Sequence, residues 1–283
     1  MQNIGYYNGT IKPLNELLIP ATDRAVYFGD GVYEVVYSVN QKPFALKEHM
    51  QRFYSSCQLL NINFTMKSEQ LENIINQLIK KQGDKNQCIY WQTSRGTAVR
   101  EHIFPQNIEP NLLIMITNNT IRNMNKMRYK LITKEDTRFL HCNIKTLNLI
   151  PSVLASQEAK QKGCDEAVLH RGENVTECAH SSVAILKDGI FKTAPLNNLI
   201  LPGVTRAHLI KFCKNIKVPV LEKPFTVSEL LNADEVIVCA SGCLCMGVSH
   251  INGNEVGGKA PKLLKALQQA YEEEFIRQCG SFI

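Results

Sequence analysis

Two hydrophobic periods alternate along the first 120 residues. Positions 32–39 are dense in strand formers and stop at Asn40-Gln41, so a strand is predicted there. Leu71, Ile74, Ile75, Leu78 and Ile79 fall at i, i+3, i+4, i+7 and i+8. With Ser68 as N-cap and Gly83 as stop, they predict a helix over 68–82, the clearer of two helices in this stretch. Asn8-Gly9 predicts a hairpin turn between strands at 4–7 and 11–13. Positions 88–93 and 112–117 read as strands bracketing an irregular polar loop, 95–110.

The polar segment 118–125 predicts a boundary: an N-terminal domain at 1–118, a linker at 119–125 and a C-terminal domain at 126–283. Beyond it, strands are predicted at 128–133, 165–170, 183–186, 190–193 and 235–240. Asp188-Gly189 turns the third of these into the fourth, and Asn252-Gly253 marks a later turn. Helices are predicted at 153–162, from about Thr205 through Cys213, and at 263–275. Strand and helix do not alternate regularly and no repeat appears, so the expected class is α+β in two lobes.

Composition narrows the function without naming it. Lys and Arg number 32 against 26 Asp and Glu, a net charge of +6 spread without a basic block. That argues against nucleic acid, whose partners concentrate charge on one face. The ten cysteines are scattered, the first residues carry no signal pattern and no apolar run reaches membrane length; a reducing, cytoplasmic setting without membrane insertion is expected. Gly29-Asp30-Gly31 and Gly257-Gly258-Lys259 complete no phosphate-loop fingerprint. Cys239, Cys243, Cys245 and His250 match no zinc spacing, so no metal is expected.

Candidate chemistry begins at Lys145, which Ile144, Leu147 and Leu149 surround. Apolar crowding disfavours an ammonium and leaves an amine able to form a Schiff base. Taken alone, the residue reads as an ordinary lysine snorkelling at a strand edge. Glu177 ends a strand-like stretch 177 − 145 = 32 residues later, and a pyridoxal ring needs such a carboxylate beside its nitrogen. Leu201-Pro202-Gly203-Val204-Thr205-Arg206 is a glycine turn opening a helix, whose free amides suit a phosphate, although by itself it reads as a plain N-cap.

In this order the blocks resemble the fold-type IV pyridoxal-phosphate enzymes, and among them the D-amino-acid aminotransferases. The resemblance runs from about Gly5 to Phe275, through Asp23-Arg24-Ala25-Val26-Tyr27-Phe28-Gly29-Asp30-Gly31-Val32-Tyr33-Glu34, Lys47-Glu48-His49-Met50-Gln51-Arg52, the Lys145 and Glu177 blocks and the Gly203 turn. It implies a two-domain fold with pyridoxal 5′-phosphate in the cleft between domains, joined to Lys145. It further implies Arg52, Val204, Thr205 and Ser241 at the phosphate, Glu177 at the ring nitrogen, Leu201 against the ring and Tyr33 beside the Schiff base.

Arg100 and His102, in Arg95-Gly96-Thr97-Ala98-Val99-Arg100-Glu101-His102, stand where the Arg-x-His motif of this subfamily traps a substrate carboxylate, with Tyr90 as a third member. A guanidinium grips a carboxylate with two hydrogen bonds, fixing orientation as well as affinity. The implied reaction passes the amino group of D-alanine or another D-amino acid to 2-oxoglutarate, giving a 2-oxo acid and D-glutamate, in a homodimer. The same lysine and glutamate occur in branched-chain L-aminotransferases and aminodeoxychorismate lyases, and the Arg-x-His motif separates this chain from both. Two blocks depart from the family. Cys178 replaces the usual glycine, where a thiol would expose the site to oxidation, and of Ala240, Ser241 and Gly242 only Ser241 keeps a hydroxyl.

Overall fold

Period-two alternation builds the sheet of the first unit. In the computed structural model, which describes residues 2–83 and 86–282, the chain divides into two units of an α+β fold. The first opens with β1 (Ile4–Tyr7), β2 (Thr10–Pro13), α1 (Arg24–Phe28), β3 (Gly31–Val39) and β4 (Lys42–Pro43). It continues with α2 (Leu46–Leu59), α3 (Ser68–Gln82), β5 (Asn86–Ser94) and β6 (Asn111–Asn118). Its sheet runs β2-β1-β6-β5-β3-β4, antiparallel throughout.

One face of this sheet meets the two long helices. Val32 and Val36 of β3, Ile89 and Trp91 of β5, and Ile114 and Ile116 of β6 pack against Met50 and Phe53 of α2 and Leu71, Ile75 and Leu78 of α3. Tyr33, Val35 and Tyr37 of β3 turn to the other face and are half-buried. That periodicity places one row of side chains in the core and the next on a workable surface.

The second unit contains β7 (Tyr129–Glu135), α4 (Ile150–Gln161), β8 (Glu166–Arg171), β9 (Asn174–Cys178), β10 (Ser182–Lys187) and β11 (Ile190–Thr193). These are followed by α5 (Val204–Asn215), β12 (Val220–Glu222), α6 (Val227–Leu231), β13 (Glu235–Ala240), β14 (Leu244–Ile251), β15 (Asn254–Glu255) and α7 (Pro261–Cys279), whose residues from Phe275 onward belong to the first unit. The sheet order is β12-β11-β10-β13-β14-β7-β8-β9, with β15 on β14. β7 and β8 run parallel and α4 is the helix between them in sequence, the connection a parallel pair demands.

The hairpin turns sit where the sequence puts them. Asn8-Gly9, Asp188-Gly189 and Asn252-Gly253 all have positive φ at both residues, the conformation that favours such pairs. Three expectations shift. Lys67, not Ser68, is the N-cap of α3; the Gln70 side chain accepts the Lys67 amide at 3.1 Å. Helix α4 starts at Ile150 rather than 153, because its inward face is made of small residues, Ser152, Ala155 and Ala159, which an apolar-periodicity reading does not register. β14 is absent from the predicted strands: Leu244–Val248 is buried on both faces, so no alternation marks it.

The unit boundaries also differ from a single break at 119–125. The first unit comprises Met1–Thr120, Ile144–Asn148 and Phe275–Ile283; the second comprises Ile121–Asn143 and Leu149–Glu274. Lys145, expected in the C-terminal domain, therefore packs with the first unit. The reason is local: Ile144 is buried in the first unit's core, and Val32 and Thr146 form an antiparallel bridge.

Phe53 tests the first core. It is fully buried and touches Tyr54, Phe64 and Trp91 edge-on or tilted. Phe53→Ala is expected to lower unfolding stability by about 3–5 kcal/mol, read as a shift in the urea midpoint with an unchanged slope.

Candidate active site

The Lys145 peptide is a short strap laid along the start of β3. Tyr33 N donates to Lys145 O at 3.0 Å and Leu147 N to Gly31 O at 3.0 Å, while Lys145 N donates to Ser56 Oγ at 3.3 Å. Ile144 and Thr146 are buried, so alternation sends the Lys145 side chain to the opposite side. Its Nζ lies 4.3 Å from the centroid of the Tyr33 ring, and Tyr33 stacks on Tyr90 with centroids 5.6 Å apart. Gly31 is required for this close approach: a Cβ there would stand 2.4 Å from Thr93 O and 2.8 Å from Leu147 Cδ1.

Of the residues expected to crowd the lysine, Ile144 is buried in the core while Leu149 is exposed and belongs to the second unit. The aromatic face of Tyr33 is the close neighbour of the amine instead. Tyr90 donates its hydroxyl to Gln92 Oε1 at 2.6 Å. Burial, and then the nearness of Tyr33, push its ionisation upward.

Beneath α2 lies a charge cluster that the sequence reading missed. Glu34 points into the core at 0% exposure. Arg52 Nε and Nη2 donate to its two oxygens at 2.6 and 2.8 Å, and His49 Nδ1 lies 2.7 Å away. Burial alone would raise the Glu34 pKa, but Arg52 and His49 together hold it at about 2. His49 shifts downward, first by burial and further by the charges of Arg52 and Lys145, against the pull of Glu34. Arg52, expected at a phosphate, thus has two of its donors fixed on Glu34. The signal was present: a glutamate between Val32 and Val36 occupies the inward face of a strand.

Arg100 and His102 sit on the exposed loop after β5. The Arg100 guanidinium is 5.1 Å from the centroid of the Phe28 ring and the His102 ring is 5.2 Å from it. The two residues therefore share one aromatic support.

The second unit carries the remaining predicted residues. Glu177, 6% exposed, accepts from Arg138 Nη1 and from Leu201 N at 3.2 Å, which brings two predicted residues together. Arg138 is aligned by Asp136, receiving its Nε at 2.9 Å and Nη2 at 2.8 Å, and Asp136 also accepts from Thr176 Oγ1 at 2.9 Å. Against the cost of burial, Asp136 and Glu177 hold the Arg138 pKa above its ordinary value. Arg138 and Asp136 were missed because they lie in a charge-rich stretch that resembles an ordinary solvated loop.

Gly203 is the N-cap of α5, and no side chain caps that helix. Its first-turn amides, at Val204 and Thr205, are the kind that hold an anion. A Cβ on Gly203 would stand 2.8 Å from Ser182 Oγ, so a larger residue would displace that hydroxyl. Thr205 hydrogen-bonds Tyr271, and Ser241 is half-buried between β13 and β14. Cys178 corrects an expectation: it is buried and burial raises its pKa well above the ordinary thiol value. It stays a protonated thiol shielded from oxidants.

Residues 31–251 match the model of the amino-transferase class IV family. The chain belongs to that family. This class IV aminotransferase is 35% identical over 281 residues to a D-alanine aminotransferase of Listeria monocytogenes, covering 98% of this chain and 97% of that protein. It is 35% identical over 271 residues to a D-alanine aminotransferase of Staphylococcus epidermidis, covering 95% and 96%. Its fold matches the branched-chain amino acid aminotransferase of Escherichia coli with a TM-score of 0.88 at 21% identity, covering 100% of this chain and 96% of that one. The branched-chain amino acid aminotransferase of Thermoproteus uzoniensis, solved with norvaline, gives 0.86 at 20% identity, covering 97% of each chain. The chain is a fold-type IV, pyridoxal-phosphate-dependent aminotransferase.

The residues present suit that cofactor. The turn at Gly203 leaves helix amides uncapped, Glu177 is a buried carboxylate paired with a guanidinium, and Lys145 extends a primary amine over an aromatic face. Among the described residues no group of three His, Cys, Asp or Glu is arranged to hold a metal.

The Glu34 cluster sets an acid limit. A carboxyl depressed to about 2 contributes stability that is present above its unfolded pKa of about 4.5 and is lost as pH falls toward 2. Glu34→Gln is expected to remove on the order of 3 kcal/mol at neutral pH. It should also flatten the stability-versus-pH curve between those two values, measured by denaturant titrations in that window.

Proposed function

We propose that this aminotransferase is a D-amino-acid transaminase, moving the amino group of D-alanine and related D-amino acids to 2-oxoglutarate and releasing pyruvate, or another 2-oxo acid, and D-glutamate. The observation that carries the reading is the pairing of Arg100 and His102 on Phe28: a guanidinium and an imidazole held on one support make a trap for an α-carboxylate. Tyr33 and Tyr90 form the aromatic wall beside Lys145.

Pyridoxal phosphate, when bound, supplies an aldehyde that exchanges amines and a protonated ring that withdraws electrons from the carbon losing its proton. Val204 and Thr205 at the start of α5, with Ser241 and Arg52, are the groups that would hold its phosphate, and Leu201 would pack on its ring. Glu177, paired with Arg138, would hold the proton on the ring nitrogen. Lys145 Nζ would hold the aldehyde at rest and, once displaced by the substrate amine, would take up the substrate's α-proton and carry it on that nitrogen. Because that amine reaches the substrate from one side only, the face presented by the carboxylate trap sets the stereochemistry. The two substrates take turns at one lysine, so ping-pong kinetics follow.

No helix among the described residues is long and apolar enough to cross a membrane. We place the reaction in the cytoplasm, where D-glutamate serves cell-wall peptide synthesis. The assembly proposed is a homodimer in which the trap loop serves the partner's site. Support comes from Val99 and Ile103, 80% and 72% exposed beside the two trap residues, since apolar side chains on a loop favour cover by a protein surface. Sizing should give about twice 31.9 kDa, and Val99→Asp with Ile103→Asp should shift it toward the monomer.

Assays with D-alanine, L-alanine, D-glutamate and L-leucine against pyruvate and 2-oxoglutarate decide the substrate class. D-alanine with 2-oxoglutarate should exceed L-leucine by about 100-fold or more in kcat/KM; equal rates would remove the D-specific reading. Lys145→Ala should lose roughly 100- to 10,000-fold in kcat, and normal turnover by that variant would remove the assigned lysine.

A further inference from the structure

The exposed loop that carries Arg100 and His102 is tied at several points to residues 22–30, the segment containing α1. Arg24 N donates to Gly96 O at 2.9 Å and Ala98 N to Thr22 O at 3.1 Å, and the Tyr27 hydroxyl reaches Ala98 O. The closest tie runs through a buried side chain. Arg24 Nε donates to Asp30 Oδ2 at 2.7 Å, and its Nη1 donates at 2.7 Å to the backbone oxygen of Glu101, the one residue between Arg100 and His102.

Phe28, four residues after Arg24, completes the arrangement. Its ring accepts the Arg24 guanidinium at 4.7 Å as well as the Arg100 guanidinium and the His102 ring. Asp30 is shared with Arg95 at the start of the loop, at 2.8 and 3.0 Å, and the Arg95 guanidinium lies over Phe104 at 3.6 Å. A long exposed arginine ordinarily samples many rotamers. Here Arg24 fixes the carbonyl of the following residue, Glu101, and the Arg100 head group lies over Phe28.

We propose that Arg24 and Phe28 are positioning residues of the carboxylate trap, setting the spacing and direction of Arg100 and His102 without touching substrate. This rests on reading Arg100 and His102 as that trap. A bidentate grip tolerates little misalignment, so loosening the support weakens every ligand that presents a carboxylate, whether or not it carries an amine. It leaves the proton transfer at Lys145 alone.

The test uses the full-length protein loaded with pyridoxal phosphate and the variants Arg24→Lys, Phe28→Leu, Phe28→Tyr and Arg100→Met. KM and kcat are measured for D-alanine, with the inhibition constant of propanoate, which has the carboxylate but no amine. Arg24→Lys and Phe28→Leu should each raise KM and the propanoate constant about tenfold with kcat within about twofold of the parent. Phe28→Tyr, which keeps the aromatic face, should restore both. If Arg100→Met raises both constants while Arg24→Lys and Phe28→Leu leave them unchanged, the positioning role is overturned and the trap stands. If Arg100→Met itself changes neither constant, the trap reading fails. Loss of kcat, together with a lowered melting temperature in both support variants, would show that the segment only holds the fold, and would also overturn the proposal. Should Arg24→Lys not fold, the Phe28 pair decides alone.

Discussion

A carboxylate removed from water keeps its charge only if a cation follows it into the protein, and both units of this chain are organised around that constraint. Glu34 has no exposed surface and is met by Arg52 and His49; Glu177 is nearly as buried and is met by Arg138, which Asp136 aligns in turn. Removing one member of such a set strands the other, which costs more than the pair contributes when whole. Charges held in this way do not reorganise, and that stillness makes them useful beside a reacting group.

The same economy of movement governs the backbone. Residues 144–148 gain their shape from β3, not from each other: hydrogen bonds to Gly31 and Tyr33 and the burial of Ile144 leave Lys145 a single direction. Alternation, ordinarily a device for building cores, here aims a side chain. On α5 the corresponding device is an uncapped helix start, where Gly203 lies close against the Ser182 hydroxyl.

The sequence made some of this legible and hid the rest for physical reasons. Periodicity found α3, β3, β5 and β6 because each has one buried face, while β13, buried at five successive positions, showed only as an apolar run. It could not find β14, buried on both sides, or the first turn of α4, whose inward residues are small. Lys145 and Glu177 stood out only through the order of the blocks around them, since each alone fits an ordinary surface or strand residue. Arg138 and Asp136 were hidden among charges, because a salt bridge is a relation between positions that no local pattern encodes. Glu34 was readable from strand alternation, and its partners His49 and Arg52, three apart on one helix face, were readable with it. The oxidation hazard expected at Cys178 is cancelled by its burial.

The five-residue strap has a consequence for ancestry and engineering. Because Ile144–Asn148 lies with the first unit while the chain on either side of it lies with the second, no single cut yields either unit entire. The polypeptide is interlaced, not strung, and a swap of halves with a relative at residue 120 would bring along a foreign lysine segment. Recombination in this fold therefore has to exchange three pieces, with the strap travelling beside the β3 that shapes it.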